Sequence, residues 1–476
     1  MKRLLTIAMV LTSLFLGACA NNNTWSSSNG SVPDSSIKIQ KNRQSRARLG
    51  NSPAPSVGEA NDIWKRIRLG FDIPDPDVAI TIKHTNQLAA NPEALNRLMQ
   101  RSSNYLFYII EEVEARNMPS ELALLPFVES AFNPKAVSPA KASGMWQFMP
   151  ATGKDFNLTQ NLFRDERRDI IHSTRAALDY LQRLYGLFGD WQLALAAYNW
   201  GEGSVARAIK RNQAAGLPTD YFSLQMPNET KNYVPKLLAY KRIVDKPGSY
   251  GFILPKVDDH PYFIAVTPPK DIDLDLAIKF AEMSSEDFLS LNPSFTKPVI
   301  LKASNPKILL PFGKAEIFQY NLDKYQGPLS TWTAVLVDRT DTLDKVAASL
   351  NVDPNQLREL NAIPRGMRIR AGSTVLIPKT SAHTTDVPLY LADNAALNLE
   401  KEYMPALLKC KSKNCIQTPA AATKSLSVSQ SKVNTSSRTP VVNIKKTGGK
   451  ERAEVKNEGK SAGKSSPSHV KKTLVK

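Results

Sequence analysis

The chain has 476 residues, of which 42% are hydrophobic, so it is long enough to form two or three domains with a buried core. Its formal net charge is +18, but residues 401–476 account for +13, so the basic character describes the C-terminal tail. Five His and three Cys show no spacing typical of a metal site, so neither a metal nor another cofactor is expected.

Residues 1–19 predict an export signal that ends in a lipidated cysteine. Two basic residues precede an apolar run, residues 4–15, that is too short to span a bilayer permanently. Residues 16–19, Leu-Gly-Ala-Cys, resemble a bacterial lipobox, which implies that Cys19 is lipidated and anchors the chain to a membrane. An ordinary secretory signal with an incidental Cys is the alternative. With Ala20 next, the resemblance implies an outer-membrane lipoprotein that faces the periplasm, where nucleic acid is not an expected partner.

Residues 59–250 predict a mainly α-helical domain, connected to the anchor by a flexible tether rich in Ser, Asn and Pro, residues 20–58. Apolar periodicity predicts one helix over residues 86–116, with Pro92 in its first turn. A second predicted helix, residues 119–133, contains Pro126, which should kink it. The remaining predicted helices are 170–186, 191–198 (ended by Gly201 and Gly203), 205–211 and 229–244.

A β-α-α-β pattern then occurs twice, which indicates two small α+β modules. In the first copy, residues 255–315, predicted strands at 262–266 and 307–311 enclose helices at 274–280 and 285–291. In the second copy, residues 330–380, strands at 333–337 and 374–378 enclose helices at 342–350 and after the cap Asp353. Asn292 and Asn361 correspond at an offset of 69 residues, so the pattern is an internal repeat.

Glu129 is the candidate catalytic residue. It follows the apolar run Leu124–Val128, and burial of a carboxylate raises its pKa, so that it can hold a proton near neutral pH as a general acid must. A lone Glu in a helix is usually a solvated surface group. Asp165 and Glu166 could provide a second carboxylate, but alternating charges there favour a salt-bridged helix start that Asp169 caps.

Four sequence blocks, in this order, resemble the soluble-lytic-transglycosylase-like family, which has a lysozyme-like fold. They are Glu129-Ser130, Gly144–Pro150, Ala196–Gly203 and Asn232–Pro235, and the resemblance covers roughly residues 105–245. It implies cleavage of the β-1,4 bond between N-acetylmuramic acid and N-acetylglucosamine in peptidoglycan. In that family one Glu protonates the leaving sugar and then deprotonates the 6-hydroxyl of the same muramic acid, which gives a 1,6-anhydro end.

The same resemblance assigns roles to the residues around Glu129. Gln147 would donate to sugar or orient Glu129, Met145 would line the cleft, and Tyr233 would hydrogen-bond the Glu129 carboxylate. Trp146 and Trp200 are expected to pack in the core. The implied substrate-binding residues are Ser130, Gly144, Met145, Gln147, Tyr198, Asn199 and Tyr233.

The second module resembles the LysM family, which binds chains that contain N-acetylglucosamine. Its opening turn is Thr340–Leu343, Thr-Asp-Thr-Leu, where the family often has Gly-Asp-Thr-Leu. The resemblance implies a glycan groove between residues 338–341 and 363–366, and a spacer without ligand is the alternative. The implied glycan-binding residues are Asp338, Asp341, Thr342, Asn361 and Gly366. The first module is more degenerate, and its part in binding is left open.

The pattern of residues 380–408 is ambiguous, with a helix over residues 390–408 as one interpretation, and a disordered basic tail, residues 409–476, is predicted to follow. Cys410 and Cys415 fit either a local disulfide in an oxidising compartment or two unpaired thiols. The tail is expected to adhere to anionic lipid head groups or wall polymer.

Two further functions compete with the transglycosylase. A goose-lysozyme-type hydrolase on the same fold would need a second carboxylate to position water. A cell-wall-binding scaffold with an inactive catalytic domain would be expected to have lost Glu129 or Gln147, and both are present.

Overall fold

The computed structural model describes residues 62–402 of the chain. The predicted lipobox with Cys19, the tether, Cys410, Cys415 and the basic tail 409–476 lie outside the described residues. Within residues 62–402, no helix combines the length and the apolar character needed to cross a bilayer.

Residues 62–250 form a helical domain, as the sequence predicted. In this range the β structure is confined to isolated bridges, such as Val137 with Ser143. The α-helices are α1 (Ile63–Leu69), α2 (Ala79–Ala89), α3 (Pro92–Ser102), α4 (Leu106–Ala115), α5 (Leu125–Glu129), α6 (Pro150–Asp155), α7 (Ile170–Phe188), α8 (Trp191–Trp200), α9 (Glu202–Ala214) and α10 (Asn228–Asp245).

The single helix predicted over residues 86–116 is wrong, because this stretch contains three helices. Asn91 separates α2 from α3, since its side chain accepts a hydrogen bond from the amide of Ala94 at 3.1 Å. Pro92 then occupies the first turn of α3, where its missing N–H costs nothing. The sequence contained this cap, but the continuous apolar periodicity concealed it.

The predicted helix 119–133 also differs. A 3-10 helix, Ser120–Leu124, comes first, and α5 ends at Glu129. Pro126 lies in the first turn of α5, so it begins a helix and does not kink one. Gly201, at φ +88°, ends α8 as predicted, whereas Gly203 lies inside α9.

One apolar core holds the helical domain together. The central helix α8 is Ala- and Leu-rich, so α7 and α10 pack closely against it, with Leu195 and Leu238 fully buried. A buried ion pair, Lys241 with Glu121 at 2.7 Å, joins α10 to the 3-10 helix that precedes α5. The helix that ends at Glu129 is therefore fixed from behind by α10.

Two βααβ modules follow and confirm the predicted repeat. In the first module, residues 263–311, the first and last strands pair antiparallel, with Phe263 opposite Pro311 and Val266 opposite Ile308. Its elements are β1 (Phe263–Val266), β2 (Ile272–Asp273), α11 (Leu274–Phe280), α12 (Ser285–Leu291), β3 (Val299–Ile300) and β4 (Ile308–Pro311). Helix α13 (Phe312–Lys324) connects it to the next module.

The second module, residues 332–378, repeats this arrangement, with Trp332 paired to Pro378. Its elements are β5 (Trp332–Leu336), β6 (Asp341–Thr342), α14 (Leu343–Leu350), α15 (Pro354–Asn361), β7 (Met367–Ile369) and β8 (Thr374–Pro378). Asp353 caps α15 as predicted, by accepting from the amide of Gln356 at 2.8 Å.

The chain after the second module corrects the helix interpretation of residues 390–408. Of the described residues 389–402, those of α16 (Leu389–Asn394) are helical, and β9 (Leu399–Lys401) then pairs antiparallel with β7. Residues 403–408 lie outside the described part. Residues 399–401 form a strand and not a helix because the edge of β7 has unpaired backbone groups, and an added strand pairs with them.

Candidate active site

Helix α5 ends at Glu129 because the next residues turn the chain back. Ala131 and Phe132 both have a positive φ, 54° and 55°, a conformation that costs energy in residues with a Cβ. The amide of Phe132 bonds the carbonyl of Pro126 at 3.0 Å, and the Phe132 ring is buried against Phe127. This turn leaves the Glu129 side chain partly buried at the end of a helix.

The carboxylate of Glu129 receives a hydrogen bond from the hydroxyl of Tyr233 on α10. Burial raises the pKa of Glu129 to about 7. The Tyr233 hydrogen bond lowers this pKa, the charge of Glu229 raises it and the charge of Lys236 lowers it. Burial is the largest of these influences, so the pKa of Glu129 lies near neutral pH, in the range that suits general acid–base chemistry.

Tyr198 also lies beside Glu129. Burial raises the pKa of Tyr198 well above its usual value, and the charge of Glu129 raises it further. The Tyr198 hydroxyl donates to the carbonyl of Trp146 at 2.9 Å, which links α8 to the Gly144–Pro150 block. Tyr198 and Tyr233 therefore stay neutral, and of the two hydroxyls that of Tyr233 donates to the Glu129 carboxylate.

The block that begins at Gly144 has a structural role that the sequence did not reveal. Gly144 has φ +85°, and a Cβ there would lie 1.8 Å from the backbone oxygen of Arg167. Glycine is therefore required by the neighbouring chain segment. Met145 is fully buried in the core, which contradicts its expected place in the cleft wall. Trp146 is buried as predicted, with its indole N–H donating to Thr174 at 3.0 Å.

Gln147 is brought near this block but is oriented inward. Its amide donates to the carbonyl of Gly144 at 2.8 Å and to that of Ala136 at 3.4 Å, and its φ is +49°. Among the hydrogen bonds of residues 62–402, none joins Gln147 to Glu129. The orienting contact on Glu129 therefore comes from Tyr233.

Ser130 and Asn199 bond protein groups around the cleft. The Ser130 hydroxyl donates to the carbonyl of Met145 at 2.8 Å, so it ties the end of α5 to the Gly144 block. The Asn199 side chain donates to Glu229 at 3.3 Å and accepts from Thr230 at 2.8 Å. These bonds fix the ends of α8 and α10 on either side of Glu129.

Sequence reasoning missed Glu229 and His84. Glu229 is exposed in the first turn of α10, four residues before Tyr233, and that spacing on a predicted helix was the available signal. His84 on α2 contacts Asn232 at 2.7 Å.

The carboxylates considered earlier are paired elsewhere, Asp165 with Arg167 at 2.8 Å and Glu166 with Arg164 at 3.0 Å. Asp169 caps α7 as expected.

The predicted LysM groove residues divide into two groups. Asp338 and Gly366 are exposed, and Asp341 and Thr342 are partly buried at the groove edge, where the Thr342 amide donates to Asp341 at 2.9 Å. Asn361, in contrast, is 2% exposed. Its side chain bonds the backbone of Leu357 and Leu376 at 2.8–2.9 Å, so we leave it out of the proposed glycan site.

The described part of the chain contains no group of three or more His, Cys, Asp or Glu side chains placed to hold a metal ion.

Three family models match the chain. The model described as Transglycosylase SLT domain matches residues 107–218. The model described as Lytic transglycosylase MltD, LysM-like domain matches residues 262–327, and the LysM domain model matches residues 336–378.

Individual proteins are also similar. Membrane-bound lytic murein transglycosylase D of Escherichia coli (strain K12) is 34% identical over 394 residues, which cover 78% of this chain and 84% of that protein. A putative tributyltin chloride resistance protein of Alteromonas sp. (strain M-1) is 43% identical over 148 residues, 31% of this chain and 71% of that protein. The solved structure of the 70 kDa soluble lytic transglycosylase of Escherichia coli is 27% identical, with a TM-score of 0.24, and covers 30% of this chain and 24% of that one.

Proposed function

This chain belongs to the family of membrane-bound lytic murein transglycosylase D, a family of lytic transglycosylases, and we propose that Glu129 is the acid with which it cleaves peptidoglycan. The proposed bond is the β-1,4 linkage between N-acetylmuramic acid and N-acetylglucosamine. The observation that carries the proposal is the partly buried carboxyl of Glu129, with a pKa of about 7, under the hydroxyl of Tyr233.

In the first proposed step, protonated Glu129 gives its proton to the glycosidic oxygen. The bond from that oxygen to the anomeric carbon of muramic acid breaks, and the leaving sugar departs with a new hydroxyl group. Glu129 becomes a carboxylate that accepts the Tyr233 hydrogen bond. Positive charge develops at the anomeric carbon, as in other glycosidases.

In the second proposed step, the carboxylate removes the proton of the 6-hydroxyl of the same muramic acid. That oxygen then bonds the anomeric carbon and closes a 1,6-anhydro ring, while Glu129 regains its proton. No water is consumed, so one carboxylate suffices. The neutral hydroxyl of Tyr233 is proposed to hold Glu129 in position through both steps.

Product analysis of purified peptidoglycan sacculi tests this proposal. We expect wild-type protein to release glycan whose muramic acid ends are one water lighter than those made by a hydrolase. Glu129→Gln keeps the shape and the Tyr233 contact but cannot exchange a proton, so turnover should fall by about 10²–10⁴-fold. Equal clearing of a peptidoglycan gel by both proteins would reject Glu129 as the acid.

A goose-lysozyme-type hydrolase is the second candidate, because Glu229 provides a carboxylate whose charge acts on Glu129. In a hydrolase, Glu229 would position the attacking water, and Glu229→Gln would remove activity. The transglycosylase proposal predicts that Glu229→Gln still forms anhydro ends. Products with a free reducing end from the wild type would favour the hydrolase.

Location and wall binding are also proposed. We propose that lipidated Cys19 anchors the enzyme to the outer membrane facing the periplasm, and that the second module holds glycan through Asp338, Asp341, Thr342 and Gly366. Cys19→Ser should abolish incorporation of labelled fatty acid in cells and release the protein from membranes. Incorporation that persists in this variant would contradict the lipobox assignment.

A further inference from the structure

The two modules can be compared residue by residue up to Ile300, because an offset of 69 residues relates Phe263 to Trp332 and Ile300 to Ile369 in the paired strands. In the first module the Asn292 side chain bonds the carbonyls of Phe288 and Leu309 and the amide of Leu309 at 2.7–3.0 Å. Asn361 makes the same three bonds in the second module. At this offset, the groove loops 338–341 and 363–366 of the second module correspond to residues 269–272 and 294–297 of the first.

In the first module, the loop 294–297 is bonded to the catalytic domain. The amide of Asp165 donates to the carbonyl of Ser294 at 2.9 Å. Thr296 donates through its amide to Phe163 at 3.0 Å and through its hydroxyl to Leu162 at 2.7 Å. The carbonyl of Ser294 and the amide of Thr296 are therefore already bonded within the molecule.

The other loop of the first module, 269–272, is partly covered by the chain that follows the second module. Asp271 is 1% exposed, and its carboxylate accepts from the amides of Lys302 at 2.7 Å and Val387 at 2.8 Å. Phe163 of the catalytic domain is buried in an apolar cluster with Val387 and residues of both modules. Asp271 and Ser294 of the groove equivalent are thus covered by other parts of the chain, whereas Pro269, Lys270 and Thr296 remain exposed.

The corresponding loops of the second module are open. Asp338, Pro364, Arg365 and Gly366 are exposed. Within residues 62–402, the hydrogen bonds of the loop 363–366 run to Arg358 and Glu402 and none reaches the catalytic domain.

We propose that the first module does not bind glycan and has a structural role instead. Its two loops that correspond to the groove contact other parts of the chain and so connect the catalytic domain to the second module. Only the second module then presents a groove to glycan. This inference rests on the proposed glycan binding of the second module. Sugar cannot bond the carbonyl of Ser294 or the amide of Thr296 unless the bonds of these groups to residues 163–165 break.

Hydrogen–deuterium exchange on the full chain tests this, with Glu129→Gln throughout so that no cleavage occurs. Peptides 292–298 and 362–368 are compared with and without a β-1,4-linked N-acetylglucosamine hexamer at ten times its dissociation constant. We expect 292–298 to be protected without ligand and unchanged by it. Exchange in 362–368 should become about tenfold slower with the hexamer, as mass action requires.

Two variants distinguish loss of the contact between the first module and the catalytic domain from general unfolding. Phe163→Ala should accelerate exchange in 292–298 while the hexamer still slows 362–368, and Phe312→Ala, at an exposed ring, should change neither. The proposal is overturned if the hexamer slows 292–298 as much as 362–368, or if 292–298 exchanges freely without ligand. No response in 362–368 would reject the second module as the glycan site, while the product analysis of Glu129 would stand unaffected.

Discussion

At Glu129, burial and a hydrogen bond have opposite effects on the pKa of one carboxyl group. Burial keeps the proton on the group near neutral pH, and the Tyr233 hydroxyl offsets part of that effect by stabilising the charged form. Without the Tyr233 hydrogen bond, the Glu129 carboxyl would be a weaker proton donor. Without burial, it would be ionised at neutral pH. The pair therefore sets the pH at which the proposed acid works.

Replacing Tyr233 with Phe should shift the pH dependence of activity upward. The lost hydrogen bond lowers the pKa of Glu129 in the wild type, so that pKa rises in Tyr233→Phe. A bond to a charged group contributes about 1.5–3 kcal/mol, which corresponds to about 1–2 pH units. Because the acid must start protonated, the alkaline limb of kcat/KM should move upward by that amount. Tyr240→Phe, on the same helix, is the control and should leave the limb in place.

Glu129→Gln should stabilise the protein in alkaline but not in acid solution. The pKa of Glu129 is raised from 4.5 to about 7 on folding, so the folded state favours the protonated group. The wild type therefore loses stability as pH rises from about 4.5 through 7, by about 3 kcal/mol in all. Urea unfolding at pH 8 should show the variant more stable by that amount, and the difference should vanish at pH 4. An equal gain at both pH values would indicate that the pKa is not raised.

At the scale of single elements, Asn361 illustrates what a motif can conceal. Its family position suggested sugar binding, but the structure gives its amide three backbone partners in the core. Asn361→Ala leaves the buried groups of Leu376 and Leu357 unpaired, so we expect a loss of about 2–4 kcal/mol in the second module. Exchange of the Leu376 amide measures this, with exposed Asn355→Ala as control. Lost glycan binding at unchanged stability would restore the sugar role.

Two glycines near the site should respond differently to Ala. At Gly201 a Cβ would meet nothing within 4 Å, so the cost is backbone strain alone, about 1–3 kcal/mol. At Gly144 the same φ strain adds to a Cβ contact of 1.8 Å with the Arg167 backbone. We therefore expect Gly144→Ala to lower the thermal midpoint much further than Gly201→Ala. Similar midpoints would show that the Arg167 segment yields easily.

Local signals predicted most elements of both modules, because caps and short apolar runs determine them without distant partners. Asp353 with Pro354 and the strand 374–378 are examples. Two of the predictions that failed depended on partners far along the chain, whereas the errors at Asn91 and Pro126 were local. Residues 399–401 form a strand because the edge of β7 is free, and Met145 is buried in the apolar core of the helical domain. Similarly, the Glu129–Tyr233 pair followed from a family motif, whereas Glu229 required the folded neighbourhood.

At the scale of the whole molecule, residues 383–402 join three parts. Val387 bonds Asp271 of the first module at 2.8 Å, and β9 extends the sheet of the second module. The carbonyl of Ala395 accepts from the amide of Leu162 in the catalytic domain at 2.9 Å. The match to the LysM family ends at residue 378, so the family boundary does not include this segment.

A chain that ends after Lys379 should therefore be less stable than one that ends after Glu402. The shorter chain loses the β7–β9 ladder and leaves Phe163 and Leu376 without the apolar cover of Val387 and Leu391. Thermal unfolding should begin at a lower temperature, and amides 367–369 should exchange faster, because their strand becomes an open edge. The chain that ends after Glu402 keeps every described contact and should match the full-length protein. If both truncated chains protect residues 367–369 equally, the segment only covers the surface and does not hold the modules together.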